Sequence, residues 1–442
     1  MYQHELTTEV AVARTHLLPV TIARRWSPAR SIGFAAAAIG AGLALGTLGV
    51  GVLTVLAARK VITPPSRPLI QTRIVEVGDG WITLTATPET RLGGKYGLWF
   101  DDDRGHLKMG DVIERTSGWV RREVIAIDFG EPKLGMGART GAAFYLSPRE
   151  LDVPTRDVEI MTELGPAPAW LVPAGDPGHA GAWRSATGDR WAILVHGRAA
   201  QRHEAIRAIP SFRKRGWTTL TVSYRNDPGA PASPDGRYAL GDREWADVEA
   251  AIRYARRRGA KRIVLMGWSM GGALSLQTIT RSAIAKEVES VMLDSPVVDW
   301  VSTLRLQTKV NHLPMMVLPA VVGVLSSAWG RWITGQSGPI DLQRLDLVRS
   351  AALLRIPILI LHSVDDGYVP ISASRALALA RPELVQLVEF VGAHHVRLWN
   401  LAPERWERSI DTWLMALDAA HAQTTQTKAS QAKTAQAKTD QS

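Results

Sequence analysis

The chain of 442 residues has no cysteine. That removes disulfides, thiolate nucleophiles and cysteine-ligated metals from consideration, and it leaves the compartment open, because both oxidising and reducing surroundings tolerate such a chain. Acidic residues are also in deficit, 42 against 52 Lys and Arg, for a formal charge of +10. The excess is spread out. Residues 1–60 carry six basic and two acidic side chains, a net +4, and residues 421–442 carry three and one, a net +2. The remaining +4 is distributed over the body of the chain, as on an ordinary surface. No nucleic-acid motif accompanies it, and the excess beside the apolar run described next suits anionic lipid headgroups better.

Long uncharged runs are likewise scarce, with one exception. Ile32 to Ala58 is a run of 27 residues without a charged side chain. As a helix rising about 1.5 Å per residue it would extend about 40 Å, against a hydrocarbon core of about 30 Å. The run is about twice the length of a signal-peptide core, so a retained transmembrane helix is expected rather than a cleaved signal. Basic residues stand on both sides, Arg24, Arg25 and Arg30 before and Arg59 and Lys60 after. Charge on both flanks leaves the orientation undetermined, and a catalytic part outside the cytoplasmic membrane is the side favoured.

Residues 68–150 alternate short β-type segments, such as Arg73 to Val77, Trp81 to Thr85 and Val120 to Ile125, with Gly, Pro and Asp clusters. A small β-rich domain is expected there. From 155 to 420 the pattern changes to buried strands alternating with helices, the signature of a mostly parallel sheet with helices on both faces. Residues 300–345 interrupt this pattern as a cap insertion, rich in Leu, Val, Met and Pro. Residues 421–442, with recurring Gln-Thr-Lys and Gln-Ala-Lys, hold nothing large and apolar and are expected to be disordered.

The chemistry is carried by Gly267-Trp268-Ser269-Met270-Gly271-Gly272, between the strand-like Arg262 to Met266 and the helix-like Ala273 to Gln277. In this G-x-S-x-G spacing the serine occupies a sharp strand-to-helix turn that tolerates no Cβ two residues to either side. The helix behind it directs free N–H groups at the reacting oxygen, and the amide of Met270 is one predicted oxyanion donor. A serine needs a histidine to take its proton and a carboxylate to orient that histidine. Downstream, the strand Ile358 to Leu361 runs into His362-Ser363-Val364-Asp365-Asp366-Gly367-Tyr368-Val369-Pro370, and a further strand, Val385 to Val391, runs into Gly392-Ala393-His394-His395. Two adjacent acids and two adjacent histidines compete, with Asp294 at the end of another strand as a third acid.

From these residues the segment 155–418 resembles the α/β-hydrolase superfamily, near its prolyl-oligopeptidase-type serine hydrolases and carboxylesterases. The resemblance implies an H-G-x-x-D-x-x-V-P register, which selects Asp366 with His362, Val369 and Pro370, and a histidine turn that selects His395. It also implies a second oxyanion donor after the strand Trp191 to Val195, the amide of Arg198 in His196-Gly197-Arg198. Arg225, at a strand end, and Trp268 are the expected substrate contacts. The function expected is a membrane-anchored serine hydrolase that cleaves small-molecule or lipid acyl esters without metal or organic cofactor. A peptidase or acyltransferase with the same triad, and a silent envelope binding protein, are the rival readings. Nothing in the sequence speaks to oligomeric state.

Overall fold

The computed structural model describes residues 49–65, 69–175 and 186–439. The chain divides into residues 1–51 and a unit from Val52 to Ser442. Most of the expected transmembrane run, residues 32–48, lies outside the described residues. Residues 49–62 form a helix, α1, and no helix among the described residues is long and apolar enough to cross a membrane.

Within the second unit, six strands close a barrel in the order β1-β2-β5-β4-β3-β6: Thr72–Gly78, Trp81–Thr85, Trp119–Phe129, Gly105–Arg115, Tyr96–Phe100 and Gly137–Gly141. Alternation along these strands turns Ile74, Ile82, Leu84, Leu98, Phe100, Leu107 and Met109 into one interior cluster. Closure removes the exposed edges that a sheet of this size would otherwise present.

An eight-stranded sheet follows in the order β14-β13-β12-β11-β9-β10-β8-β7. The hairpin β7 (Arg156–Thr162) and β8 (Gly165–Val172) runs antiparallel, and β9 (Arg190–Val195), β10 (Thr218–Val222), β11 (Arg262–Trp268), β12 (Val288–Asp294), β13 (Ile358–Ser363) and β14 (Val385–Phe390) run parallel to one another. The central parallel strands are buried along their whole length, β11 from Ile263 to Trp268, because helices cover both faces. Those helices include α2 (Ile209–Lys214), α3 (Trp245–Arg257), α4 (Met270–Arg281), α8 (Ile371–Ala380) and, after the short α9 (Leu398–Leu401), α10 (Pro403–Thr439). The cap segment folds as α5 (Trp300–Val310), α6 (Val317–Ser326) and α7 (Gly330–Thr334).

The tail corrects an expectation. Helix α10 continues to Thr439 through the stretch expected to be disordered. Its Ala, Gln and Lys residues are strong helix formers, and a helix already seeded by packed residues such as Trp406, Ile410 and Leu414 elongates through them without a further core.

The barrel is bonded to the second sheet's loops through the residues just before α10. The Asn400 carbonyl accepts from Lys95 N–H at 3.0 Å, and its side-chain amide donates to Lys95 O at 2.6 Å and Ala142 O at 2.9 Å. The same side chain's oxygen accepts from Arg207 at 2.9 Å.

Candidate active site

Ser269 joins β11 to α4 with φ 50° and ψ −114°, a conformation that L side chains rarely adopt. Its neighbours explain how the turn is held. A Cβ on Gly267 would lie 2.4 Å from Gly271 O, and one on Gly271 would lie 2.1 Å from Val195 O. Only glycine fits at either place. The backbone is pinned as well: Ser269 N–H donates to Asp294 O at 3.0 Å, and Val297 N–H donates to Ser269 O at 3.1 Å.

Three side chains then meet. His395 Nε2 lies 3.0 Å from Ser269 Oγ, and His395 Nδ1 lies 2.7 Å from Asp366 Oδ2. The Asp366 carboxylate also takes His362 Nε2 at 3.1 Å and the N–H groups of Tyr368 and Val369 at 2.8 Å each. Burial pushes this carboxyl up, but the positive field of His395 and the hydrogen bonds from both rings outweigh it and hold the group well below the usual carboxylate range. Tyr368 stacks on the His395 ring, centroids 5.2 Å apart.

The adjacent candidates separate by direction. Asp365 accepts the N–H of Gly392 and so fastens the loop that carries His395. His394, at φ 57°, makes no hydrogen bond among the described residues. Asp294 is fully buried, paired in register with Trp268 on the neighbouring strand. Its oxygens take Trp406 Nε1 at 2.9 Å and Ser295 Oγ at 3.0 Å, and Ser295 Oγ in turn accepts Val396 N–H at 3.1 Å. Asp294 therefore steadies the residue after His395 and leaves the imidazole to Asp366.

Opposite Ser269 lies the turn after β9. A Cβ on Gly197 would stand 3.2 Å from Ser269 Cβ, so the backbone passes directly beside the nucleophile. Gly197 N–H is committed to Glu204 at 2.8 Å, whereas the next N–H, that of Arg198, meets no acceptor among the described residues. Met270 opens α4, where an N–H has no intrahelical partner. Neither amide is committed to an acceptor among the described residues.

Sequence reasoning missed what holds this turn. His196 is fully buried, with Nδ1 2.9 Å from Gly197 O and Nε2 2.7 Å from Asp227. Both ring nitrogens thus face acceptors, which suits the doubly protonated ring. Burial pushes its pKa down, but the Asp227 charge and hydrogen bond prevail and raise it. Tyr224 stacks on it at 4.4 Å and donates its hydroxyl to Gly197 O at 2.9 Å. The signal available was the His196-Gly197 pair together with Asp227 in its Pro-Gly turn, which spacing alone does not connect. The Arg198 side chain turns away from the site and donates to Lys60 O at 2.6 Å, Val61 O at 2.8 Å and Thr63 O at 3.1 Å, at the end of α1.

Two expected substrate contacts are corrected. Arg225 is buried and engaged within the protein: its Nε and Nη2 pair with Asp247 at 2.8 and 2.7 Å, and Nη2 also donates to Glu163 at 2.8 Å. Trp268 has no exposed surface and packs in the core beneath the elbow. The cap does approach the site. Gln307 of α5 donates to Gly367 O at 3.2 Å and Tyr368 O at 2.9 Å, the turn that presents Asp366.

Known proteins share both parts of the chain. Residues 192–408 match the model of the alpha/beta hydrolase family, and residues 73–141 match a domain of unknown function, DUF8805. No curated protein matches. Among solved structures, the Pyrococcus furiosus esterase Pf2001 is similar at 20% identity and TM-score 0.46, covering 62% of this chain and 94% of its own. Est1E from Butyrivibrio proteoclasticus has 15% identity and TM-score 0.44, covering 59% and 99%. A thermophilic esterase from Thermogutta terrifontis has 18% identity and TM-score 0.40, covering 59% and 98%. Residues 192–408 are thus similar to the alpha/beta hydrolase family, in keeping with the parallel sheet and the glycine-flanked strand-to-helix turn, and the protein is a hydrolase.

Proposed function

We propose that the chain is a membrane-anchored serine esterase in which Ser269, His395 and Asp366 act as nucleophile, base and orienting acid. The observation that carries this reading is the unbroken line from Ser269 Oγ to His395 at 3.0 Å and from His395 to Asp366 at 2.7 Å. His395 Nε2 takes the serine proton as Oγ bonds to the ester carbonyl carbon. The carbonyl oxygen becomes negative and is received by the N–H groups of Met270 and Arg198. Collapse of that intermediate breaks the C–O bond to the alcohol, which leaves with the proton now on His395. Water then repeats the cycle: His395 takes its proton, its oxygen attacks the acyl carbon, and Ser269 Oγ departs with the proton returned. Asp366 stays ionised throughout, which its hydrogen bonds favour.

An apolar acyl group is favoured by the Leu, Val, Met and Pro content of the cap beside the site. Anchoring rests on the uncharged run from Ile32 to Ala58, with the catalytic part outside the cytoplasmic membrane. Fluorophosphonate labelling of the full chain tests the triad. Wild type and His394→Ala should label, and Ser269→Ala and His395→Ala should not. A folded wild type that takes no label would leave a binding protein in place of an enzyme.

A further inference from the structure

The cap exposes large apolar side chains to an extent unusual for a surface in water. Met315, Met316, Trp329 and Trp332 are 45%, 62%, 53% and 76% exposed. From residue 300 to residue 340 the chain has Arg305, Lys309 and Arg331 and no Asp or Glu. The Arg331 guanidinium lies 4.8 Å from the Trp332 ring centroid, so a cation accompanies the exposed indole.

This face adjoins the end of α1. Arg59 Nε donates to Ile333 O at 2.8 Å, one residue past Trp332. One turn earlier on α1, Leu56 is as exposed as Val52, each at 59%, while Ala58 and Ile62 are buried against the unit. The residues that follow Arg59 are those whose carbonyls the Arg198 side chain holds. The exposed tryptophans, the apolar face of α1 and the oxyanion turn are thereby joined through Arg59, Lys60 and Val61. On the other side α5 touches the Tyr368 turn beside His395.

We propose that this cap face, with Met315, Met316, Trp329 and Trp332 beside the end of α1, docks on an anionic bilayer and turns the Ser269 site toward acyl esters held in it. The inference rests on the reading of the chain as a membrane-anchored esterase and adds where it meets the lipid and from which phase its substrate comes. The occupant follows from three features. The uncharged run from residue 32 precedes, in the sequence, the helix α1 that carries the exposed Val52 and Leu56. Indoles beside arginine suit the headgroup layer, where an apolar ring and a polar edge are both accommodated. The three cations of residues 300–340, with no acid of that segment to offset them, fit a negatively charged surface.

The test uses the full chain with phosphatidylcholine vesicles, with or without phosphatidylglycerol, and compares wild type with the double variant Trp329→Ser, Trp332→Ser. Each is assayed on a water-soluble short-chain ester and on a long-chain fluorogenic ester dissolved in the vesicles. The double variant should still float with vesicles and match wild type on the soluble ester. On the embedded ester it should lose about tenfold, since interfacial binding scales with the apolar area inserted. Wild type should lose rate on the embedded ester when phosphatidylglycerol is omitted. An unchanged ratio of the two activities would overturn the proposal, as would a wild-type dimer that the double variant abolishes, which would make the face a contact between copies. Wild type that does not float refutes the anchor itself, and absence of soluble-ester hydrolysis refutes the esterase; both are read separately from the ratio.

Discussion

Replacing Asp366 by asparagine alters charge and proton placement while leaving the size of the side chain nearly unchanged. Oδ1 of Asp366 accepts two backbone N–H groups, from Tyr368 and Val369 at 2.8 Å, so the Asn carbonyl oxygen takes that side. Its NH2 group then occupies the place of Oδ2, which faces His395 Nδ1 at 2.7 Å and His362 Nε2 at 3.1 Å. A donor now meets Nδ1, and His395 must carry its proton on Nε2, pointed at Ser269 Oγ. The base is lost although every heavy atom is in place. The same exchange in a serine protease triad lowers kcat about 10⁴-fold, which at about 1.4 kcal/mol per tenfold is about 5.5 kcal/mol of barrier. Steady-state hydrolysis of a chromogenic ester by Asp366→Asn should show this loss with the thermal midpoint little changed. Asp294→Asn is the comparison: its oxygens serve Trp406 and Ser295, so it should lower stability and keep kcat within about tenfold. Near-normal turnover by Asp366→Asn together with an inactive but folded Asp294→Asn would refute the reasoning and move the acid to the other strand.

Three further expectations can be checked with the same preparations. Gly271→Ala brings a methyl within 2.1 Å of Val195 O and 2.5 Å of His196 O; it should abolish fluorophosphonate labelling and lower stability by at least the ~1–3 kcal/mol of ordinary overpacking, and retained labelling would contradict the elbow geometry. Burial, together with nearby His196, His106, Arg139 and Arg202, pushes the His203 imidazole down to about 3. An unfolded chain binds that proton near pH 6.5, so stability from this group is complete above about 6.5 and is lost as pH falls toward its folded value. Denaturant midpoints measured across that range should fall for wild type, and the fall should be shallower for His203→Gln; parallel curves would remove His203 from the account. Arg198→Ala keeps the oxyanion amide and removes its side chain's grip on Lys60, Val61 and Thr63, so kcat should fall about tenfold with KM nearly constant and Arg198→Lys should recover part of it, whereas a change confined to KM would argue against a role in the oxyanion turn.

The elbow was legible in the sequence because its geometry forbids most alternatives: two positions where any side chain collides with backbone must be glycine, and Gly267 and Gly271 flank the serine. The neighbouring pairs were harder. Asp365 against Asp366 and His394 against His395 differ only in which way the turn points each side chain, and spacing says nothing of that; only family register made a choice between them. Arg225 misled because a strand-end arginine looks the same whether its partners are absent or, as here, lie in Glu163 and Asp247, distant along the chain. Trp268 misled for a related reason. A strand covered on both faces is apolar throughout, so its residues give no alternation from which direction could be read. The helical tail was missed because composition weighs the lack of a core and not the ease of extending a helix already formed.

The bonds around Asn400 bear on how such a protein can be divided or recombined. Sequence similarity marks residues 73–141 and 192–408 as two segments, as though they were interchangeable parts. The molecule draws no seam between them. Asn400 commits its carbonyl and both ends of its amide to Lys95, Ala142 and Arg207, and Arg207 also donates to Val396 O at 3.1 Å, next to the candidate base. A chain begun at residue 155 would strand those polar groups in a newly opened interior, five residues from His395. The barrel is in this sense part of the scaffold of the histidine loop, and a graft of the hydrolase segment into another protein would have to carry the barrel with it.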